Sequence, residues 1–384
     1  MSLQNPVFIP GPTNMPLAIR HAIDLPTIDH RGPEFGDILV PARDGVRQVL
    51  KSSSAEIFIF PATGTGGWET AITNTLSAGD KVLACRNGMF SHKWIDMCQR
   101  HNLDVQVVSA QWGTGLPAAE YEEILKADTD HQIKVVLATH NETATGVRSD
   151  IAAVRKALDA AGHPALLFVD GVSSIGSMDF RMDEWGVDVA VTGSQKGFML
   201  PPGLAIIGFS KKAMAMTGSA QLPRTYFDLS DMQDGYSAVA YPYTPPVALL
   251  NGLKVACDML LDEGLENVFA RHARIANGVR AAVHAWGMEL CAQSPDVYSD
   301  SVSAIMTPKG TEIVGLAHKK YGVAFGGGLG DVAGKLFRIG HLGMLTDVLA
   351  LSGIATAEMV MADLDMPIKL GSGVAAAQEV YRKS

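Results

Sequence analysis

Lys196 follows directly on an apolar run, Val187-Asp188-Val189-Ala190-Val191-Thr192, within the small-residue sequence Gly193-Ser194-Gln195-Lys196-Gly197. A long flexible amine at a strand end, poorly solvated and near another cation, loses its proton readily and can attack a carbonyl as a Schiff-base nucleophile. The ordinary alternative is a solvated surface charge. Asp170 ends a second apolar run, Leu167-Phe168-Val169-Asp170, ahead of Gly171-Val172-Ser173-Ser174. A carboxylate there can pair with a protonated pyridine nitrogen, or it can cap the next helix. A third segment, Pro61-Ala62-Thr63-Gly64-Thr65-Gly66-Gly67, leads into a helix expected from about Trp68. Closely spaced glycines before a helix N-terminus let amides converge on a phosphate, with the Thr63 and Thr65 hydroxyls as extra donors. The segment lacks the Gly-Lys-Ser/Thr ending of a nucleotide P-loop, and a tight turn without ligand is the alternative. Ligands of open α/β sheets sit beyond the carboxyl ends of strands, so these features are read together.

The elements that must position them alternate along the chain. Strands are expected at residues 57–60, 81–85, 104–108, 134–138, 165–170, 187–192 and 204–209, several apolar nearly throughout, as in strands covered on both faces. Amphipathic stretches over 68–76, 92–101 and 151–161 separate them. This alternation predicts an α/β fold: a mainly parallel seven-stranded sheet flanked by helices. The Pro-rich segment Ile9 to Pro16 reads as an extended arm. A long helical stretch over 247–286, short strands at 301–306 and 336–339, a Gly326-Gly327-Gly328 turn and a helix over 347–363 describe a smaller C-terminal α+β domain. The expected division is an arm over 1–20, a large domain over 21–260 and a small domain over 261–384.

Composition narrows the functions. The chain has 384 residues, 47% hydrophobic and 18% charged, with a formal net charge of -9 and no basic run longer than two residues. Nucleic acid and anionic membranes are poor partners for such a surface. Cys85, Cys98, Cys257 and Cys291 are scattered without a C-x-x-C pair, which favours reduced thiols in a cytoplasmic protein over disulfides or a zinc site. No ligand cluster has metal spacing, no secretory signal opens the chain at Met1-Ser2-Leu3-Gln4, and no apolar run approaches a membrane span.

The sequence resembles class V (fold type I) pyridoxal phosphate aminotransferases, in the branch acting on alanine, serine or aspartate with glyoxylate. Segments in order carry the likeness: Pro10-Gly11-Pro12-Thr13-Asn14, Thr63-Gly64-Thr65-Gly66, Thr139-His140-Asn141-Glu142-Thr143, Val169 to Ser174, Gly193-Ser194-Gln195-Lys196, Tyr241-Pro242-Tyr243-Thr244-Pro245-Pro246 and Phe337-Arg338-Ile339-Gly340. The resemblance implies pyridoxal phosphate (PLP) held by Lys196 as a Schiff base, with Asp170 on the ring nitrogen. It implies Thr65, Gly66, Gly67 and Gln195 on the phosphate, Thr143 near the ring's phenolic oxygen or the substrate, and Phe90 stacked on the ring, where some relatives have tryptophan. Tyr241 and Thr244 would reach the phosphate of a neighbouring subunit, making a homodimer with shared sites. Arg338 would anchor the substrate α-carboxylate, with a domain-interface salt bridge as its alternative, and Gly11 would lie on the substrate side. An aspartate donor needs a second cation, for which Arg31 and His341 are the candidates, and Glu34 is an alternative partner for Arg31. The expected reaction transfers an amino group from a small amino acid, L-aspartate before serine or alanine, to glyoxylate. A cysteine desulfurase is the more remote alternative, because residues 315–345 hold no cysteine.

Overall fold

The computed structural model describes residues 5–383. The start of the expected arm, residues 1–4, and Ser384 lie outside them.

The arm is not merely extended: its strand β1 (Val7–Phe8) belongs to a sheet. The large-domain strands are β2 (Glu56–Ala62), β3 (Lys81–Arg86), β4 (Asp104–Ser109) and β5 (Ile133–Thr139). A short hairpin, β6 (Asn141–Glu142) and β7 (Val147–Arg148), precedes β8 (Leu166–Asp170), β9 (Val189–Gly193) and β10 (Gly203–Phe209). The small domain adds β11 (Val302–Met306), β12 (Ala324–Gly327) and β13 (Leu336–Gly340). Thus Gly326 and Gly327, expected in a turn, lie in a strand.

The seven-stranded sheet has the order β2-β10-β9-β8-β5-β3-β4. Neighbours from β9 through β4 pair in parallel, while β10 is antiparallel to both β2 and β9. The nine residues between Gly193 and Gly203 explain the reversal, since a parallel crossover needs a dozen or so residues. Lys196 lies in that short return. Every residue of β8 and β9 is buried, as their unbroken apolar character requires, whereas edge strand β4 is largely exposed. All strands but β10 run the same way, so Thr139, Asp170 and Gly193, with the chain leaving β2 and β3, meet at one end.

A second sheet has the order β1-β12-β13-β11, with β1 parallel to β12. Helices Leu265–Ala285, Asp347–Asp363 and Ser372–Lys383 cover it around Phe8, Ile305, Phe337, Ile339 and Ile354. The expected single helix over 247–286 is two, Val247–Glu263 and Leu265–Ala285, because Gly264 has φ +82° and lies outside the helical region. The second of them spans two hydrophobic cores: Val268 packs in the larger, Ile275 and Val279 in the smaller.

Candidate active site

Helix Gly64–Thr73 begins four residues earlier than its apolar pattern suggests. Its first hydrogen bond runs from Gly67 N–H to Thr63 O. Gly64, Thr65 and Gly66 therefore present amides with no helical carbonyl to meet, and the dipole adds positive character. The Gly67 amide, expected at the phosphate, is engaged inside the helix, whereas the Gly64 amide is left free beside those of Thr65 and Gly66.

One cavity at the carboxyl end of the sheet brings together Thr65, Phe90, Thr143, Asp170, Gln195 and Lys196. Phe90 and Val172 supply apolar walls. Thr143 Oγ1 lies 2.7 Å from Ser173 Oγ, which donates to Asn141 O. Gln195 Oε1 is buried without a hydrogen-bond partner among the described residues, as is Trp68 Nε1. Asp170 is buried and accepts from Val172 N–H at 2.9 Å. No cation is within ion-pair distance of it among the described residues, and burial pushes its carboxyl up to about 7. Burial pushes the Lys196 amine down to about 8, assisted by the Arg338 charge and opposed by Asp170.

The arm reaches the lysine of this cavity. Lys196 Nζ donates to Pro10 O. Gly11 has φ +105°, and a Cβ there would stand 2.6 Å from both Lys196 Cδ and Nζ. Gly11→Ala is therefore expected to cost about 1–3 kcal/mol through its backbone. Moving the amine by an ångström should also lower kcat/KM roughly 10²-fold. Thermal unfolding and steady-state kinetics measure the two effects separately.

Arg338, on β13, is buried and crosses to the large domain: its Nη1 donates to Thr143 O at 3.0 Å and its Nε to Gly327 O at 2.9 Å. No salt bridge holds it among the described residues, so carbonyls, not a carboxylate, orient the guanidinium. Burial lowers its pKa to about 10, opposed by the charge of Glu142. Glu142 itself, present in a quoted segment but given no role there, accepts from the backbone N–H groups of Phe90, Ser91 and Ala144. It thereby caps helix Met89–Arg100 and fixes where Phe90 begins it.

Several expected contributors lie elsewhere. Tyr241, expected at a neighbour's phosphate, donates to Ile59 O at 2.8 Å within its own subunit and packs on that core. Thr244 is exposed. Arg31 lines a separate groove with Val40 and Val239, away from Lys196, and is not ion-paired to Glu34. His341 is buried, with Nε2 3.0 Å from Ser303 Oγ and Nδ1 3.0 Å from Asp300 O. Burial pushes its pKa down to about 3, which favours the neutral imidazole over a second cation. Trp68 lines the cavity and was not anticipated; as an apolar residue inside a helix it carries no local sign of a site.

A family model described as "Aminotransferase class-V" matches residues 23–324. The chain is 71% identical to L-aspartate–glyoxylate aminotransferase of Paracoccus denitrificans, over 100% of this chain and 98% of that protein. It is 52% identical to serine–glyoxylate aminotransferase of Hyphomicrobium methylovorum, over 100% and 96%. The crystal structure of pyridoxamine–pyruvate aminotransferase from Mesorhizobium loti matches with a TM-score of 0.92 at 28% identity, covering 100% of this chain and 99% of that one. This chain belongs to the class V aminotransferase family: it is a PLP-dependent transaminase of fold type I. The residues present fit that cofactor. A buried carboxylate without a cationic partner suits the ring nitrogen, three unpaired amides with a hydroxyl suit the phosphate, and a desolvated amine suits the aldehyde.

Proposed function

We propose that this transaminase moves the amino group of L-aspartate to glyoxylate, giving glycine and the 2-oxo acid of the donor. The observation that carries the reading is the full-length identity of 71% to an enzyme of that name, against 52% to a serine–glyoxylate enzyme. Lys196 holds the cofactor, Asp170 pairs with its ring nitrogen, and Phe90 covers the ring. Gly64, Thr65 and Gly66 bind the phosphate through amides and a hydroxyl, with Gln195 as a neutral donor. PLP bound there supplies an aldehyde that exchanges amines and a cationic ring that takes up the electron pair left by the α-proton.

The chain's own groups do the rest. Lys196 Nζ, its pKa lowered to about 8, has a neutral fraction near pH 7 that can accept the α-proton and return it. Arg338 binds the α-carboxylate, held at the required angle by the Thr143 and Gly327 carbonyls. Thr143 adds a hydroxyl beside the reacting atoms. Burial of the Asp170 carboxylate and the low-dielectric surroundings of the half-buried Lys196 side chain strengthen their electrostatic interplay.

The working form in this reading is a homodimer in the cytoplasm. Exposed Val40 and Val239 beside Arg31 support a covered face there, and four buried free cysteines support a reducing compartment. Thr244 and Arg31 then serve the neighbouring subunit, Thr244 at the phosphate and Arg31 at the second carboxylate of aspartate. L-Serine as donor is the second reading, supported by the absence of any guanidinium among the described residues that line the subunit's own cavity. Mixing the holoenzyme with one amino acid and no acceptor separates them. Aspartate is expected to remove the visible absorbance faster than serine, and Arg31→Ala to slow aspartate roughly 10²-fold while sparing serine. Faster reaction with serine would assign the donor the other way.

A further inference from the structure

Gly64 and Gly67 let helix Gly64–Thr73 lie directly on the sheet. A Cβ on Gly67 would stand 2.6 Å from Val191 Cγ1, and one on Gly64 would stand 2.5 Å from Val172 Cγ2. Val191 is the register partner of Asp170, and Val172 donates to it. The residue after Gly67 is thereby carried to the same strand end as Asp170. That residue, Trp68, is 2% exposed and stacks on Trp94 at 5.6 Å and 14°.

Its indole N–H meets no acceptor at full hydrogen-bond geometry among the described residues, a costly state for a buried donor, yet it lies near enough to Asp170 to help hold that carboxyl down. It lines the cavity that Asp170 and Lys196 share. A carboxylate has about four acceptor positions, and Val172 N–H occupies one of those on Asp170. We propose that Trp68 is a positioning residue for Asp170: its indole N–H turns to the carboxylate and holds it in the orientation that receives a cationic ring nitrogen. The inference rests on the role of Asp170 given above. Burial drives the Asp170 carboxyl upward, while Val172 N–H, Lys196 and the Trp68 donor oppose that drift. Trp94 provides an internal comparison, since its indole N–H is equally buried and unpartnered on the other side of the stack but lines no part of the cavity.

Trp68→Phe keeps an aromatic ring against Trp94 and removes the N–H. It is expected to raise the Kd of the apoenzyme for PLP roughly ten-fold. It should also move the acid limb of kcat to higher pH, because a carboxylate that loses a donor is protonated at higher pH. In an Asp170→Asn background the same substitution should add nothing further to either quantity. Trp94→Phe should lower the unfolding temperature and leave both quantities unchanged. In the unmutated protein, the 15N-indole resonance of Trp68 should shift with pH and on adding PLP. Equal effects of Trp68→Phe and Trp94→Phe, an undiminished Trp68→Phe effect in Asp170→Asn, or an indole resonance insensitive to pH and PLP would each overturn the proposal. An Asp170→Asn enzyme with unchanged PLP affinity would instead overturn the role of Asp170.

Discussion

Lys196→Ala is expected to lower turnover by on the order of 10⁴-fold or more and to abolish the visible absorbance of the Schiff-base-bound cofactor. Both losses follow from one atom. Nζ is the sole side-chain amine lining the cavity among the described residues, lies in the short return between β9 and β10, and is held under the arm by Pro10 O. Its position in a buried site lowers its pKa to about 8, which an exposed lysine would not show. The Cβ-only side chain of the variant cannot reach the aldehyde or carry a proton. The remaining phosphate and ring contacts should still bind PLP, now as the free aldehyde. Absorbance spectra and single-turnover mixing with an amino acid check the two losses separately, and a variant that kept either would remove Lys196 from its assigned position.

Arg338 should show a different signature, because it acts as a fork and as a charge. Its Nε and Nη1 are engaged by carbonyls, which aims the rest of the guanidinium. Arg338→Lys keeps a charge but loses the planar fork, and kcat/KM for the amino donor is expected to fall about 10²-fold. Arg338→Gln should lose as much or more and also move the acid limb of kcat to higher pH. The sign follows from the site. The Arg338 charge helps depress the Lys196 pKa, so its removal lets that pKa rise and leaves less neutral amine at neutral pH. Arg338→Lys should leave the limb near its original position. Steady-state pH profiles of both variants separate carboxylate binding from the electrostatic effect on Lys196; identical profiles would mean that only binding is lost.

The alternation of buried strands and amphipathic helices was legible because it is local. A strand covered on both faces must be apolar residue after residue, and the inner strands of the large sheet fall where such runs do, while edge strand β4 is largely exposed and mixes polar residues with apolar ones. Lys196 and Asp170 stood out for the same reason, since polar groups directly after apolar runs sit at strand ends. The start of helix Gly64–Thr73 was less legible: its first turn is glycine and threonine, and apolar periodicity begins only at Trp68.

What the sequence by itself determined is therefore the α/β architecture and the strand-end placement of an amine, a carboxylate and a phosphate cradle, Lys196 foremost. The tertiary structure alone decided the partners. It laid the arm as β1 beside β12 and set Gly11 against Lys196. It spent the Tyr241 hydroxyl on Ile59, favoured a neutral His341 and sent Arg31 to a separate groove. It also brought Arg338 to a carbonyl 195 residues away and Trp68 to the cavity of Asp170. Charge state and hydrogen-bond occupancy depend on burial and on neighbours distant in the chain, and no local pattern of residue types encodes either.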